Sequence, residues 1–331
     1  MERNPLYDRA KGLGMILVIY GHMFIYGSIP FSIIFSFHMP LFFIISGMLL
    51  SPSKFENFSY WKWAKIILKK YIPPVVFFSI LGGIVRFALY GMPDWHQMVK
   101  DFILHMSSDE LLTGAIWFLS MLAFVMLLIP FLIRPERFKT GGGKICIMVT
   151  LSLLAYILSK IPFTLPFLIK TIPTALLFVY IGYIAKNEIL EKTNSMTAKR
   201  YVLLLLPVFL VLVILNRSVN LAVPAYNDFF VYLFCALFGV LMTLQISTYK
   251  LPLFIEYLGK NSLIVFSLHA IWIFIFTDIL NRILGTSYAP MVDMPHHYVL
   301  IGGVIVIIMT SLSTMLVLPV YNATLKVLKL K

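Results

Sequence analysis

The sequence predicts an all-α integral membrane protein of about ten transmembrane helices, with N- and C-termini cytoplasmic, and three observations carry that prediction. Composition is the first: 60% of the 331 residues are hydrophobic and 12% charged, with a mean hydropathy of +0.92, against about 25% charged in a soluble domain. The second is arrangement, because the apolar residues fall into runs near 11–27, 31–50, 72–90, 112–133, 144–160, 168–185, 201–215, 228–246, 262–280 and 299–320, read as membrane-spanning helices although several are short or Pro-interrupted. The third is charge. With the N-terminus inside, 21 of the 27 Lys and Arg residues fall on inner segments, while the 14 acids divide equally. The positive-inside rule therefore orients the chain, and the net charge of +13 needs no nucleic-acid partner to explain it.

Each element follows from its own residues. No small-residue cleavage site follows the first span, since Gly27-Ser28-Ile29-Pro30 runs into more apolar sequence, so that span is retained. Lys11 and His22 lie eleven residues apart on it, which puts both on one helix face, roughly 16 Å from each other at 1.5 Å per residue. Lysine then stands at a membrane surface and histidine near mid-bilayer, where an ionisable group is costly and marks a functional site. The second span enters from the outer side and brings His38 to a similar depth, with Pro40 two residues on. A proline there frees backbone groups that must be buried in protein or line a cavity. Lys54, Lys62, Lys65, Lys69 and Lys70 crowd the inner 51–71 loop. They offer point charges to a phosphate-rich cytosolic ligand, or serve orientation and anionic-lipid contact alone.

Further along, the 91–111 loop is too short for a soluble domain. Its His105-x-x-x-Asp109 spacing occurs in some soluble acyltransferases but sits here in a different architecture, and reads as coincidence. Trp117 opens the fourth span, either to stack a sugar ring or to join the interfacial belt. Gly141-Gly142-Gly143-Lys144 lacks the spacing of a phosphate loop and reads as a joint between helices. Cys146 and Cys235 lie inside apolar spans and carry no disulfide or CxxC signal. Arg217, Asn220, Asn227 and Asp228 form an outer polar group, as an acceptor contact or a solvated loop. His269 falls in the inner half of the ninth span. Asp293, His296 and His297 read as an exposed loop in preference to a metal site, so no metal is expected. Nothing repeats, and residues 1–331 read as one membrane domain.

Four ordered blocks carry a family resemblance. Tyr7-Asp8-Arg9-Ala10-Lys11-Gly12-Leu13-Gly14, then Gly21-His22, resembles the opening of the acyltransferase 3 family, with its Arg or Lys, ten residues, then His. Phe37-His38-Met39-Pro40-Leu41-Phe42-Phe43 with Ser46-Gly47 is similar to that family's second helix, especially in the branch related to fucose 4-O-acetylases. Trp117-Phe118-Leu119, and Tyr257-Leu258-Gly259-Lys260-Asn261-Ser262 with Ser267-Leu268-His269, resemble later blocks.

The resemblance implies a membrane O-acyltransferase of the cell (inner or plasma) membrane. It would move an acyl group, usually acetyl, from cytosolic acetyl-CoA or another acyl-CoA to a hydroxyl of an envelope sugar, polysaccharide or glycolipid. His22 becomes the catalytic base or nucleophile, with His38 as a second catalytic group or a helix-kink partner. Lys11 becomes the basic partner, with Asp8 three residues earlier to orient it or to occupy the first turn. The family's Arg-x-x-Arg pattern for CoA appears only as Lys62-x-x-Lys65, or as Lys69-Lys70 before Pro73, and lysine lacks the bidentate fork of arginine. Trp117 and His269 fall to the substrate path or to packing. The chemistry is coherent without the name, since a hydroxyl is a poor nucleophile and a histidine with an ordinary pKa near 6.5 can take its proton. The alternative is a transporter or flippase of a saccharide or lipid-linked substrate, which also needs polar mid-membrane residues, although no paired broken segments recur in the two halves. Haem electron transfer by paired histidines would need both imidazoles on one iron.

Overall fold

The computed structural model describes residues 4–217, 219–288 and 294–328, and among them the chain is helical with no strand. In order the helices are α1 (Pro5–Gly21), α2 (Ile29–Met48), α3 (Tyr60–Tyr90), α4 (Trp95–His105), α5 (Trp117–Leu128), α6 (Pro130–Ile133), α7 (Gly141–Ser159), α8 (Ile172–Ile184), α9 (Lys186–Asn194), α10 (Met196–Asn216), α11 (Phe229–Ile246), α12 (Leu253–Lys260), α13 (Ser262–Leu284) and α14 (His296–Val327). Nine of the described helical segments are long and apolar enough to cross a membrane. The tenth expected span, α1, has 17 residues, at the lower limit of about 17–25 for crossing. The antiparallel alternation gives the bundle two faces: an N-terminal face, where α1 begins, and a distal face carrying the loops around 22–28, 91–113, 160–171, 219–228 and 285–288.

Local chemistry fixes the boundaries. Asn4 caps α1, its side chain accepting from the Leu6 N–H, with Pro5 in the first turn, where a missing N–H costs nothing. Helix α1 therefore starts six residues before the expected span and ends at Gly21. His22 caps it and does not lie mid-helix as the sequence suggests. Ser28, Asp94, Thr140, Ser195 and Asp228 cap later helices in the same way. Helix α3 runs 31 residues through Pro73 and Pro74, so most of the lysine-rich 51–71 segment is the first turns of α3 and not a loop. Likewise the 91–111 loop contains α4, and Gly141–Gly143 open α7 behind the Thr140 cap.

Burial sorts the helices. The best apolar window of α2 is 78% buried against 17% for α3, α7 and α10, so α2 is the hub, packed on α1, α8, α10 and α11. The outer helices turn Ile80, Ile84, Leu203, Leu204, Leu215 and Leu316 outward, an apolar belt suited to lipid and not to water. Small residues set the closest approaches. A Cβ on Gly182 would lie 2.1 Å from the Ile44 carbonyl oxygen, and one on Gly47 2.0 Å from that of Val179, which is how α2 and α8 come together without a hydrophobic force between them. Gly182→Leu is expected to force these helices apart at a cost of about 1–3 kcal/mol or more, read as a lower melting midpoint of the detergent-solubilised protein. An unchanged midpoint would contradict the packing. Gly12 and Gly259 do the same for α1 and α12: a Cβ on Gly259 would meet the Asp8 carbonyl oxygen at 1.7 Å, while Arg9 binds Glu256 at 2.8 Å. Two of the sequence blocks, from opposite ends of the chain, thus form one packed pair.

Candidate active site

His22 stands where α1 stops, its ring edge-on to Phe35 of α2 with centroids 5.8 Å apart. It borders a cavity of about 530 Å³ on the distal side, together with Phe31, Phe35, Trp117 and Asn220. The polar part of the remaining wall comes mainly from α4 and the segment after it: Gln97, Asp101, His105, Ser108, Asp109 and Glu110. Hydrogen bonds hold this wall. Gln97 and Ser108 donate to the two oxygens of Asp101 at 2.6 and 3.0 Å, and Glu110 pairs with Arg86 at 3.6 Å while accepting from the Asp94 N–H. Asp109 opens onto the cavity, and its carboxyl is held above the ordinary carboxylate range, first by burial against the loop and then by Asp101, with His105 opposing.

His105 and Asp109, the spacing that reads as coincidence in the sequence, therefore share a cavity with His22. Sequence distance hid this, since 82 residues separate His22 from His105, at the end of a short amphipathic helix whose polar residues resemble any solvated loop. Trp117 is buried in the same wall and is no interfacial belt residue. Of the outer polar group only Asn220 borders the cavity, while Asn227 donates to the Asn216 carbonyl and Asp228 caps α11.

A second cavity, of about 180 Å³, lies toward the N-terminal face and is bordered by Lys11, Met15, Lys70, Tyr71, Phe118 and Phe266. It adjoins a neighbouring space of about 350 Å³, the two sharing Ser46, Leu49, Lys70 and Tyr71 as wall. Lys11 is paired with buried Asp8 at 3.2 Å, as the spacing suggests. Of the α3 lysines only Lys70 borders this space. Lys62, Lys65 and Lys69 are exposed and, at offsets of 3 and 7 residues, share a different face of the helix; Lys69 lines an apolar groove between α3 and α14.

Consecutive residues wall the two cavities. Trp117 walls the distal one and Phe118 the other, and Phe118 is wedged between Phe43 and Phe266 at centroid distances of 4.9 and 5.2 Å. His269 stands beside this layer, 5.3 Å from Phe266 and 5.5 Å from His22, bordering neither cavity. His38 is buried on α2, where its Nδ1 donates to the Ile34 carbonyl at 2.8 Å. Among the described residues no group of three or more His, Cys, Asp or Glu side chains is arranged to hold a metal ion; Asp293 lies outside the described residues. Cys146 and Cys235 are both free.

The fold and this site define a polytopic membrane protein with a histidine at the distal one of two cavities and a lysine of the same helix region at the other. A family model described as an acyltransferase domain matches residues 4–314, and the chain belongs to that family, the acyltransferase 3 family. It is a membrane acyltransferase. No curated protein and no solved structure matches the chain.

Proposed function

We propose that the protein is an O-acyltransferase that moves an acyl group, acetyl in the first instance, from cytosolic acyl-CoA to a hydroxyl of an envelope sugar, with His22 as general base. The observation that carries this reading is the position of His22 at one cavity while Lys11, on the same helix, borders the other. The N-terminal face is then cytoplasmic. Lys11 and Lys70 receive the CoA phosphates, and the thioester passes inward along Met15 and Phe266. The sugar enters the distal cavity, where carboxylates and amides accept hydrogen bonds from its hydroxyls and the Trp117 ring covers an apolar face. His22 removes the hydroxyl proton as oxygen attacks the thioester carbon, and returns it to the departing CoA thiolate. The resemblance to the fucose 4-O-acetylase branch favours a fucose-like acceptor. Lys62 and Lys65, which the family pattern suggests for CoA, become topological charges.

Retention of acetyl-CoA by the purified protein, and loss of O-acetyl groups from envelope glycans on gene deletion, test the activity; intact acetylation would refute it. Sidedness is tested separately in a background with Cys146 and Cys235 replaced. Ser53→Cys is expected to resist an impermeant thiol reagent in intact cells, while Met92→Cys reacts. Labelling of Ser53→Cys from outside would invert the topology and with it the direction of acyl movement.

A further inference from the structure

His269 is wholly buried on α13, and its two ring nitrogens have different fates. Nδ1 lies 2.6 Å from the Phe266 carbonyl oxygen. A carbonyl can only accept, so Nδ1 carries the proton and the neutral ring presents Nε2 as a bare acceptor. That Nε2 is buried with no hydrogen-bond partner, an arrangement that native interiors rarely leave without a use. The neighbouring ring is that of His22, with centroids 5.5 Å apart and planes inclined by 34°. His22 in turn faces the distal cavity. A base that must be bare toward its substrate needs a partner for its remaining N–H.

We propose that His269 is a positioning residue for His22, accepting the His22 N–H at Nε2 when the site is loaded. The inference rests on the reading of His22 as the base. The contact fixes the His22 tautomer: the nitrogen toward His269 holds a proton, so the nitrogen toward the cavity is free to take one. During transfer the proton leaves the acceptor hydroxyl for that free nitrogen, the new C–O bond forms, the C–S bond breaks, and the same proton passes to the CoA sulfur. His269 gains and loses no proton. It holds the imidazolium by an acceptor whose own orientation is set by the Phe266 carbonyl, as a carboxylate or carbonyl does for other catalytic or metal-bound histidines.

The test compares His269→Leu, which removes the acceptor, with His269→Gln, which supplies one at similar length, using CoA release from acetyl-CoA with envelope glycan extract. Leucine is expected to lower kcat about 10–10²-fold, part of the total contribution of a general base, with unchanged KM for acetyl-CoA, and glutamine to recover part of it. In 15N-imidazole spectra of the unaltered protein with acetyl-CoA bound, the His22 N–H should be hydrogen-bonded to an imidazole nitrogen. This signal should vanish in His269→Leu. Full kcat in His269→Leu, equal loss in both variants with a raised KM, or absence of that hydrogen bond would each overturn the proposal. His22→Ala is run in parallel: turnover retained there defeats the base itself, whereas a dead His22→Ala beside a fully active His269→Leu defeats only the role of His269.

Discussion

His22→Ala is expected to lower acyl transfer by about 10²–10⁴-fold, the contribution of a positioned general base, while the protein still inserts, purifies as a single species and retains acetyl-CoA. The fold tolerates the change because His22 lies after the last residue of α1 and borders a cavity, so its loss opens no sealed void and strands no charge. Its closest ring neighbours, Phe35 and His269, are held by α2 and α13 independently. Transfer measured as acetate ester formed on envelope glycan, set against acetyl-CoA retention, separates chemistry from binding. Substantial turnover in this variant would remove His22 from the mechanism.

The second large effect concerns the donor. Removing the Lys70 charge, and the Lys11 charge together with that of Asp8, is expected to raise the KM for acetyl-CoA about 5–30-fold, taking about 0.5–1 kcal/mol per charged contact, with kcat changed less. Asp8 must be neutralised with Lys11 because its side chain is 3% exposed and paired to that lysine at 3.2 Å; truncating one partner of a buried pair destabilises through the charge left behind. Added salt should weaken the wild type toward the variants, since such contacts are screened over about 8–10 Å. Lys62→Ala with Lys65→Ala should leave KM unchanged, because those side chains lie on a different face of α3. A KM that follows Lys62 and Lys65 would restore the family pattern in its expected place.

The fold was legible because lipid solvent imposes a simple rule on sequence: apolar runs of spanning length, with basic residues between them. Spacing and resemblance singled out His22, Lys11 and Trp117 as candidates, while the end of α1 at Gly21, with His22 as its cap, was not legible. Three other things escaped. The start of α1 was hidden because Asn4 and Pro5, a capping pair, carry no hydropathy signal. The helical nature of residues 60–71 was hidden by lysines that make a helix look like a loop, and so Lys70 could not be separated from Lys62 and Lys65. The wall from Gln97 to Glu110 was hidden because a polar segment facing a cavity and one facing water have the same composition. Only tertiary placement distinguishes them.

The layer of rings around Phe118 has a bearing on the energetics of the membrane the protein spans. Two cavities that approach from opposite faces would, if continuous, form a water-filled pore through an energised bilayer, and each turnover would dissipate ion gradient along with thioester. Phe42, Phe43, Phe118 and Phe266, with ring centroids within 4.9–5.8 Å of Phe118, close that route with groups that offer neither water nor ions a hydrogen bond. On the proposed reading, a two-carbon acyl group, apolar at its methyl and uncharged throughout, would slip between such rings while the phosphates of its CoA stay behind. On that reading, the layer that admits the cargo would also keep the membrane electrically tight.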